Sequence, residues 1–237
     1  MSDAATRDMK RTALSLFRGL ARSYDLTVDL ATLFQDRYWK RWVAERFKTI
    51  GAGLTLDVGC GTLLLEERYG GRGRRFVGLD LTGEMIRVGQ SKWVPNMVLL
   101  VRGEAESLPF QDGAFDSVVS CYVAKYVNVD ILASELARVT KPGASVVLYD
   151  FARPRGPLAP FIEMYIQGGM RVIGFLMKVA RRQEAFAFGN LPWIVDRTSW
   201  DSEVAARMEQ RGFETVAAER LTGGVVFAYC GKKPGSP

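Results

Sequence analysis

The sequence predicts an α/β fold: a seven-stranded, mostly parallel sheet with helices on both faces, ending in an antiparallel hairpin. Three observations predict it. From Leu54 onward short apolar runs alternate with helical stretches, the pattern of β–α units that feed one parallel sheet. Near the end two β-runs, Phe213–Leu221 and Val225–Cys230, flank Thr222-Gly223-Gly224, a hairpin signal. The chain has 237 residues, 48% hydrophobic and 24% charged, which suffices to bury one sizeable core.

Residues 4–22 and 26–48 read as helices ahead of the sheet. Ala13, Leu16, Phe17 and Leu20 follow helical spacing, and Leu30, Leu33, Phe34 and Tyr38 nearly repeat it. The first five strands fall at 54–58, 74–80, 97–101, 115–121 and 144–150, with helices from about Thr62, over 82–91 and over 129–140. The last of these helices carries Ile131, Leu132, Leu136 and Val139 and stops at Lys141-Pro142-Gly143, a basic residue followed by two breakers. Residues 153–198 then turn rich in Pro, Gly, aromatics and Met, so a helical cap inserted between two sheet strands is expected. A helix over 200–211 leads into the hairpin. The expected layout is one domain in four parts: N-terminal helices 1–50, core 51–152, cap 153–198, and final helix with hairpin 199–237.

Composition removes several chemistries. Histidine is absent, which excludes Ser-His-Asp triads, imidazole bases and His-containing zinc sites. Cys60, Cys121 and Cys230 are odd in number and far apart, so neither a disulfide framework nor a CxxC metal site is expected, and a reducing, cytoplasmic setting fits. The first 11 residues lack the apolar core of a signal peptide. Leu158–Ala180 is the most apolar later stretch, but Glu163, Arg171 and Lys178 interrupt it before the ~20 residues that a membrane span needs. The net charge of +6 suits an anionic partner without choosing among nucleic acid, lipid headgroup and metabolite.

The informative segment is Leu54–Thr62, where a β-run delivers Asp57 straight into Gly59-Cys60-Gly61. Glycines belong where the backbone turns sharply and a ligand approaches main-chain atoms. A dinucleotide loop would carry a third small residue, where this chain has Leu64. An acid just before the glycines suits an amino-bearing or cationic ligand better than a phosphate, and S-adenosylmethionine carries both an ammonium and a sulfonium. The second strand ends in Asp80, placed like the acid that takes two ribose hydroxyls, and Glu104 follows the third strand. Acids at three carboxyl ends of a parallel sheet form one site.

With those residues in view, the runs DVGCGT (57–62), LDLTGEMI (79–86), GEAESLPFQDGAFD (103–116) and LARVTKPGA (136–144) resemble the class I S-adenosylmethionine-dependent methyltransferases. Outside the core, Ser23-Tyr24-Asp25-Leu26, Asp29-Leu30, Arg37-Tyr38-Trp39-Lys40, Glu184-Ala185-Phe186 with Phe188, and Leu221-Thr222-Gly223-Gly224-Val225-Val226 resemble the ubiquinone/menaquinone-biosynthesis C-methyltransferases. The resemblance implies that Asp57, Gly59, Cys60 and Gly61 line the methionine side of S-adenosylmethionine and that Asp80 takes the ribose hydroxyls. It implies that Leu81 and Met85 flank the adenine, that Glu104 and Ala105 meet its edge, that Cys121 lies beneath the cofactor, and that Tyr24 closes over it. The chain departs from the family at Leu63, Val28, Asp36 and Lys125-Tyr126, so the cofactor half is retained and the acceptor half altered.

The resemblance implies methylation at carbon of a lipophilic quinone precursor of the demethylmenaquinol type, with no metal. Such a reaction is helped by removing a proton from a ring hydroxyl, and without histidine the candidates are Asp36, Lys125 and Tyr126. Tyr165, Phe186, Phe188 and Trp193 are the expected substrate walls, in a cap whose Met and aromatics suit a greasy pocket. Arg171, Lys178, Arg181 and Arg182 suggest that the cap touches anionic lipid peripherally. The rival readings are another hydrophobic small molecule or lipid as acceptor, RNA as acceptor, and a cofactor-binding module without catalysis. The sequence is silent on oligomeric state.

Overall fold

In a computed structural model the strands are β1 (Leu54–Val58), β2 (Arg75–Asp80), β3 (Met97–Arg102), β4 (Phe115–Cys121), β5 (Thr140–Phe151), β6 (Glu214–Leu221) and β7 (Val226–Lys232). They form one sheet in the order β3-β2-β1-β4-β5-β7-β6. The pairs β2–β3, β1–β2, β1–β4 and β4–β5 are parallel. The pairs β5–β7 and β6–β7 are antiparallel, which gives the expected hairpin at the end. The helices are α1 (Asp3–Leu20), α2 (Tyr24–Ala31), α3 (Gln35–Thr49), α4 (Leu64–Tyr69), α5 (Gly83–Gln90), α6 (Val129–Val139) and α7 (Trp200–Gln210). The structure describes residues 3–49, 53–70, 74–92, 94, 96–157, 159–164, 168, 169, 175, 195 and 198–235.

Successive strand side chains point to opposite faces, and the sequence is written to that period. Leu56 and Val58 of β1, Val118 of β4, and Val146 and Leu148 of β5 bury against Leu132 and Leu136 of α6 and Trp200, Val204 and Met208 of α7. On the other face Val119, Val147 and Tyr149 pack with Trp39, Trp42 and Val43 of α3 and Leu64 and Leu65 of α4. Thr55 of β1 and Ser117 of β4 satisfy each other, with their hydroxyls 2.7 Å apart.

Two expectations need correcting. The helix expected over 26–48 is broken into α2 and α3 at residues 32–34, because Leu33 (φ 48) and Phe34 (φ 63) turn left-handed. The Thr32 hydroxyl donates to the Val28 carbonyl and accepts from the Asp36 N–H, and the Phe34 N–H donates to the Asp29 carbonyl at 2.7 Å, so the corner is capped from both sides. The helix stops ahead of Lys141-Pro142-Gly143 as expected, and the second correction concerns the fifth strand, expected from 144. β5 begins at Thr140 and absorbs these residues as an irregularity in its pairing with β4, with Gly143 at φ +80.

In the cap, residues 159–164 are helical. Tyr165, Phe186, Phe188 and Trp193 lie outside the described residues, as do Arg171, Lys178, Arg181 and Arg182. Among the described residues no helix is long and apolar enough to cross a membrane.

Candidate functional site

The chain runs outward from β1 to β3 on one side of the sheet, then returns to lay β4 on the other side of β1. At such a switch point open α/β sheets bind ligands beyond their carboxyl ends. A cleft lies there. Gly59 and Gly61 after β1, Asp80, Leu81 and Thr82 at the end of β2, Gly103, Glu104 and Ala105 after β3, and Cys121, Tyr122 and Val123 at the end of β4 all line it. Phe17 of α1 and Tyr24 of α2 close it from the N-terminal side. Their rings meet edge to face at 6.0 Å, and Phe17 meets Tyr126 at 5.9 Å.

The glycine loop is shaped for close approach. Gly59 stands at φ +80, and a Cβ there would collide with Val123 Cγ2. Gly61 stands at φ +55, and a Cβ there would project into open space. Its N–H donates to Asp80 Oδ2 at 2.9 Å, while the Thr82 N–H donates to Asp80 Oδ1 at 2.7 Å. The Asp80 carboxylate is thereby held at the cleft with acceptor capacity left on both oxygens. Burial pushes its pKa up, against the two backbone N–H groups.

Asp57 and Cys60 do not line the cleft; they lie behind the loop. Asp57 is 2% exposed, and its Oδ1 has no hydrogen-bond partner among the described residues. Burial pushes its carboxyl well above the ordinary range, and the charge of Glu66 in α4 pushes it further. Glu66 is itself raised by burial, so both carboxyls of the pair are pushed towards the protonated form. Cys60 packs under β2, where a Cβ on Gly78 would come within 2.8 Å of its Sγ. Burial raises the Cys60 and Cys121 thiols well above their usual value, which makes them fillers in place of nucleophiles.

These features fit S-adenosylmethionine. Behind the loop Asp57 keeps a buried carboxylate oxygen without a partner among the described residues, Gly61 leaves open space, and Asp80 presents two oxygens to a pair of hydroxyls. Met85 and Leu81 give apolar surface for a purine, with Ala105 also in the lining. Glu104 sits at the mouth, ion-paired at 3.1 Å with Lys10 of α1, which also pairs with Glu106. The first helix is thus latched across the far end of the cleft.

The three acceptor-side candidates, Asp36, Lys125 and Tyr126, are all buried. Asp36 is fully buried. Its Oδ1 accepts from Lys40 Nζ at 2.5 Å and from the Tyr122 hydroxyl at 2.7 Å, and the Tyr149 hydroxyl is 3.4 Å away. Arg68 approaches Oδ2 to 3.8 Å. Lys125 is buried too, its ammonium 2.6 Å from Asp150 Oδ1 and 2.9 Å from the Tyr122 carbonyl. Burial lowers its pKa, and the facing Asp150 charge works in the other direction. Only Tyr126 of the three lines the cleft. Its phenol is raised far above the usual value by burial and the Asp150 charge, which suits a hydrogen-bond donor better than a base.

Sequence reasoning missed Tyr122. It lines the cleft, stands at φ 65, and its hydroxyl bonds Asp36. A bulky residue held left-handed is an outlier that marks functional positions. The signal available was its place at the carboxyl end of β4, one residue past Cys121.

Residues 5–233 match the model of the ubiE/COQ5 methyltransferase family. A demethylmenaquinone methyltransferase of Streptomyces avermitilis is 34% identical over 237 residues, covering 98% of this chain and 99% of that protein. One of Mycolicibacterium vanbaalenii is 32% identical over 235 residues, covering 98% and 100%. Among solved structures, a SAM-dependent methyltransferase from Aquifex aeolicus superposes with a TM-score of 0.56 at 16% identity, covering 81% of this chain and 88% of that one. A possible histamine N-methyltransferase from Thermotoga maritima gives 0.60 at 15%, covering 93% and 99%. At those identities the solved structures show the fold alone, that of class I methyltransferases. The family match spans nearly the whole chain and runs through the loops that build the cleft, so this chain belongs to the ubiE/COQ5 methyltransferase family and is an S-adenosylmethionine-dependent methyltransferase.

Proposed function

We propose that the chain methylates a ring carbon of a lipophilic quinol of the demethylmenaquinol type, with S-adenosylmethionine held in the cleft. The observation that carries the cofactor site is the Asp80 carboxylate, fixed by the Gly61 and Thr82 N–H groups at the cleft wall. The acceptor class rests on the relatives named demethylmenaquinone methyltransferases and on the family match. S-adenosylmethionine, when bound, supplies an electrophilic methyl on a sulfonium.

The chain's own residues do the rest. Asp57 receives the ammonium, Gly59, Cys60 and Gly61 shape the loop beneath the methionine end, and Asp80 takes the ribose hydroxyls. Leu81 and Met85 flank the adenine, Glu104 and Ala105 border its edge, and Cys121 and Tyr24 bound the reacting end. Holding the acceptor carbon in line supplies much of the acceleration, on the order of 7–11 kcal/mol in favourable cases. Tyr126 donates to the acceptor's ring oxygen as charge develops there, and Lys125 beneath it, with its ammonium 4.3 Å from the Tyr126 ring centre, adds a favourable field. Tyr122 passes the ring-hydroxyl proton towards Asp36, which its own hydroxyl already bonds. The cap over 153–198, with Tyr165, Phe186, Phe188 and Trp193, walls the acceptor side, and Arg171, Lys178, Arg181 and Arg182 favour peripheral contact with anionic lipid.

The altered positions Val28, Asp36 and Lys125-Tyr126 favour a second reading in which the acceptor is another hydrophobic ring. Labelled methyl donor with reduced demethylmenaquinone tests both. The expected product carries the label on carbon in the organic phase, and Tyr122→Phe slows turnover by about 10²-fold or more and alters the pH profile. Label entering only some other lipid of a bacterial extract selects the second reading; label entering RNA, or nothing, overturns both.

A further inference from the structure

The outer side of the α2–α3 corner carries an apolar outcrop that the cofactor site does not use. Leu26 and Leu30 on α2, Leu33 and Phe34 in the corner, and Tyr38 on α3 are 41% to 58% exposed. Leu26 and Leu30, four apart on α2, are neighbours on its outer face, and Leu33 and Phe34 follow at the corner where that helix ends. Leu33 and Phe34 hold φ of 48 and 63, a conformation that bulky side chains rarely adopt, and here it turns two large apolar groups out to solvent. Phe161 and Met164, about two-thirds exposed, flank Ile162. Ile162 comes against Gly223 in the turn whose Thr222 hydroxyl accepts from Trp39 Nε1 of α3 and reaches Gln35.

Charge around the outcrop is one-sided. Between Arg22 and Ala44 the exposed charged residues are Arg22, Arg37 and Arg41. All three acids of the segment are turned elsewhere: Asp25 bonds Thr62 and Lys92, Asp29 bonds Arg37 and Arg68, and Asp36 bonds Lys40 and Tyr122. The Arg37 guanidinium lies 4.9 Å over the Phe34 ring. Exposed apolar side chains interleaved in sequence with exposed arginines, the first exposed acid being Glu45 farther along α3, match a membrane interface, where apolar groups enter the acyl boundary and cations meet anionic headgroups. The inner side of the same two helices serves the cleft: Tyr24 lines it, and Asp36 bonds Tyr122, which also lines it.

We infer that the α2–α3 corner is a membrane-docking surface, seated on the headgroup layer of a bilayer containing anionic lipid. The surface would set the cleft close to the layer that holds a prenylated ring, and in that purpose alone it rests on the lipophilic-acceptor reading. Docking is measured without acceptor or methyl donor, so its failure and the failure of that reading are separate results.

The test is co-sedimentation of the full chain with vesicles of phosphatidylglycerol and phosphatidylcholine, against vesicles of phosphatidylcholine alone. Leu33→Asn with Phe34→Asn removes the two apolar groups at the corner and suits the left-handed backbone, because Asn tolerates that region. The chain should bind the anionic vesicles more tightly, and the double variant should keep its thermal midpoint while losing about tenfold or more in affinity, ~1.4 kcal/mol. Arg22→Glu with Arg41→Glu, at exposed positions, should weaken binding to anionic vesicles and leave the fold intact, and it decides the matter if the Asn variant unfolds. No sedimentation of the natural chain, or undiminished binding by the folded variants, overturns the inference. So does light scattering that shows a dimer which the Asn pair dissociates, since a second copy would then be the occupant.

Discussion

Asp57→Asn should separate folding from binding. The Asp57 and Glu66 carboxyls are both raised by burial, and they face each other. Between the ordinary carboxylate range and those raised values the folded chain holds more protons than the unfolded chain. Stability contributed by the pair is therefore greatest at low pH and falls as pH climbs through that window. Asp29 acts with the opposite sign: burial pushes it up, but hydrogen bonds from Arg37 and Arg68 leave it lowered, so its contribution is present at neutral pH and lost in acid. Asn at 57 removes a charge and offers Glu66 an N–H, so denaturation at neutral pH should need more denaturant and the pH slope should flatten. S-adenosylhomocysteine should bind about tenfold more weakly, as for a lost hydrogen bond to a charged group. A variant less stable than the natural chain at neutral pH would show that the pair is not strained. Asp57 and Asp80 were legible as sequence because each ends a β-run beside glycine or a helix start. Tyr122 was not, because its left-handed backbone is set by the distant Tyr149 carbonyl and Asp36.

At the scale of elements, the site depends on how the ends of β4 and β5 are tied. The short 3-10 turn Ala124–Tyr126 follows β4, and Lys125 within it ion-pairs with Asp150 near the end of β5. Asp150 also accepts from the Lys125 and Phe151 N–H groups at 3.0 and 2.7 Å. Asp150→Asn leaves the Lys125 ammonium buried without its counter-charge and should cost about 3–5 kcal/mol. Adding Lys125→Met should recover most of that loss in urea denaturation, because a buried pair can be replaced by apolar groups with little penalty. A loss below ~1 kcal/mol for the single variant would mean that the pair is solvated. Strand positions were readable from the two-residue period of runs such as Leu54–Val58. The break between α2 and α3 was not, since Leu30, Leu33, Phe34 and Tyr38 keep helical spacing across it. They do so on an outward face, where apolar periodicity no longer reports the core.

For the whole molecule, the parallel pattern and the closing hairpin were legible because β–α alternation admits few sheet orders. The cofactor side could be read from three acids at strand ends. The acceptor side could not, because Asp36, Lys40, Tyr122, Tyr149, Lys125 and Asp150 come from separate segments and meet only in the folded chain. The proposed chemistry depends on the carboxyl ends of β1, β2 and β3 together holding one S-adenosyl molecule, with Asp80 gripping its ribose. Calorimetric titration of the full chain and of Asp80→Ala with S-adenosylhomocysteine tests it most directly. The natural protein should show one saturable site per chain and the variant a loss of about tenfold or more, the scale of removing hydrogen bonds to a charged group. No heat with the natural chain, or equal affinity in the folded variant, would contradict it.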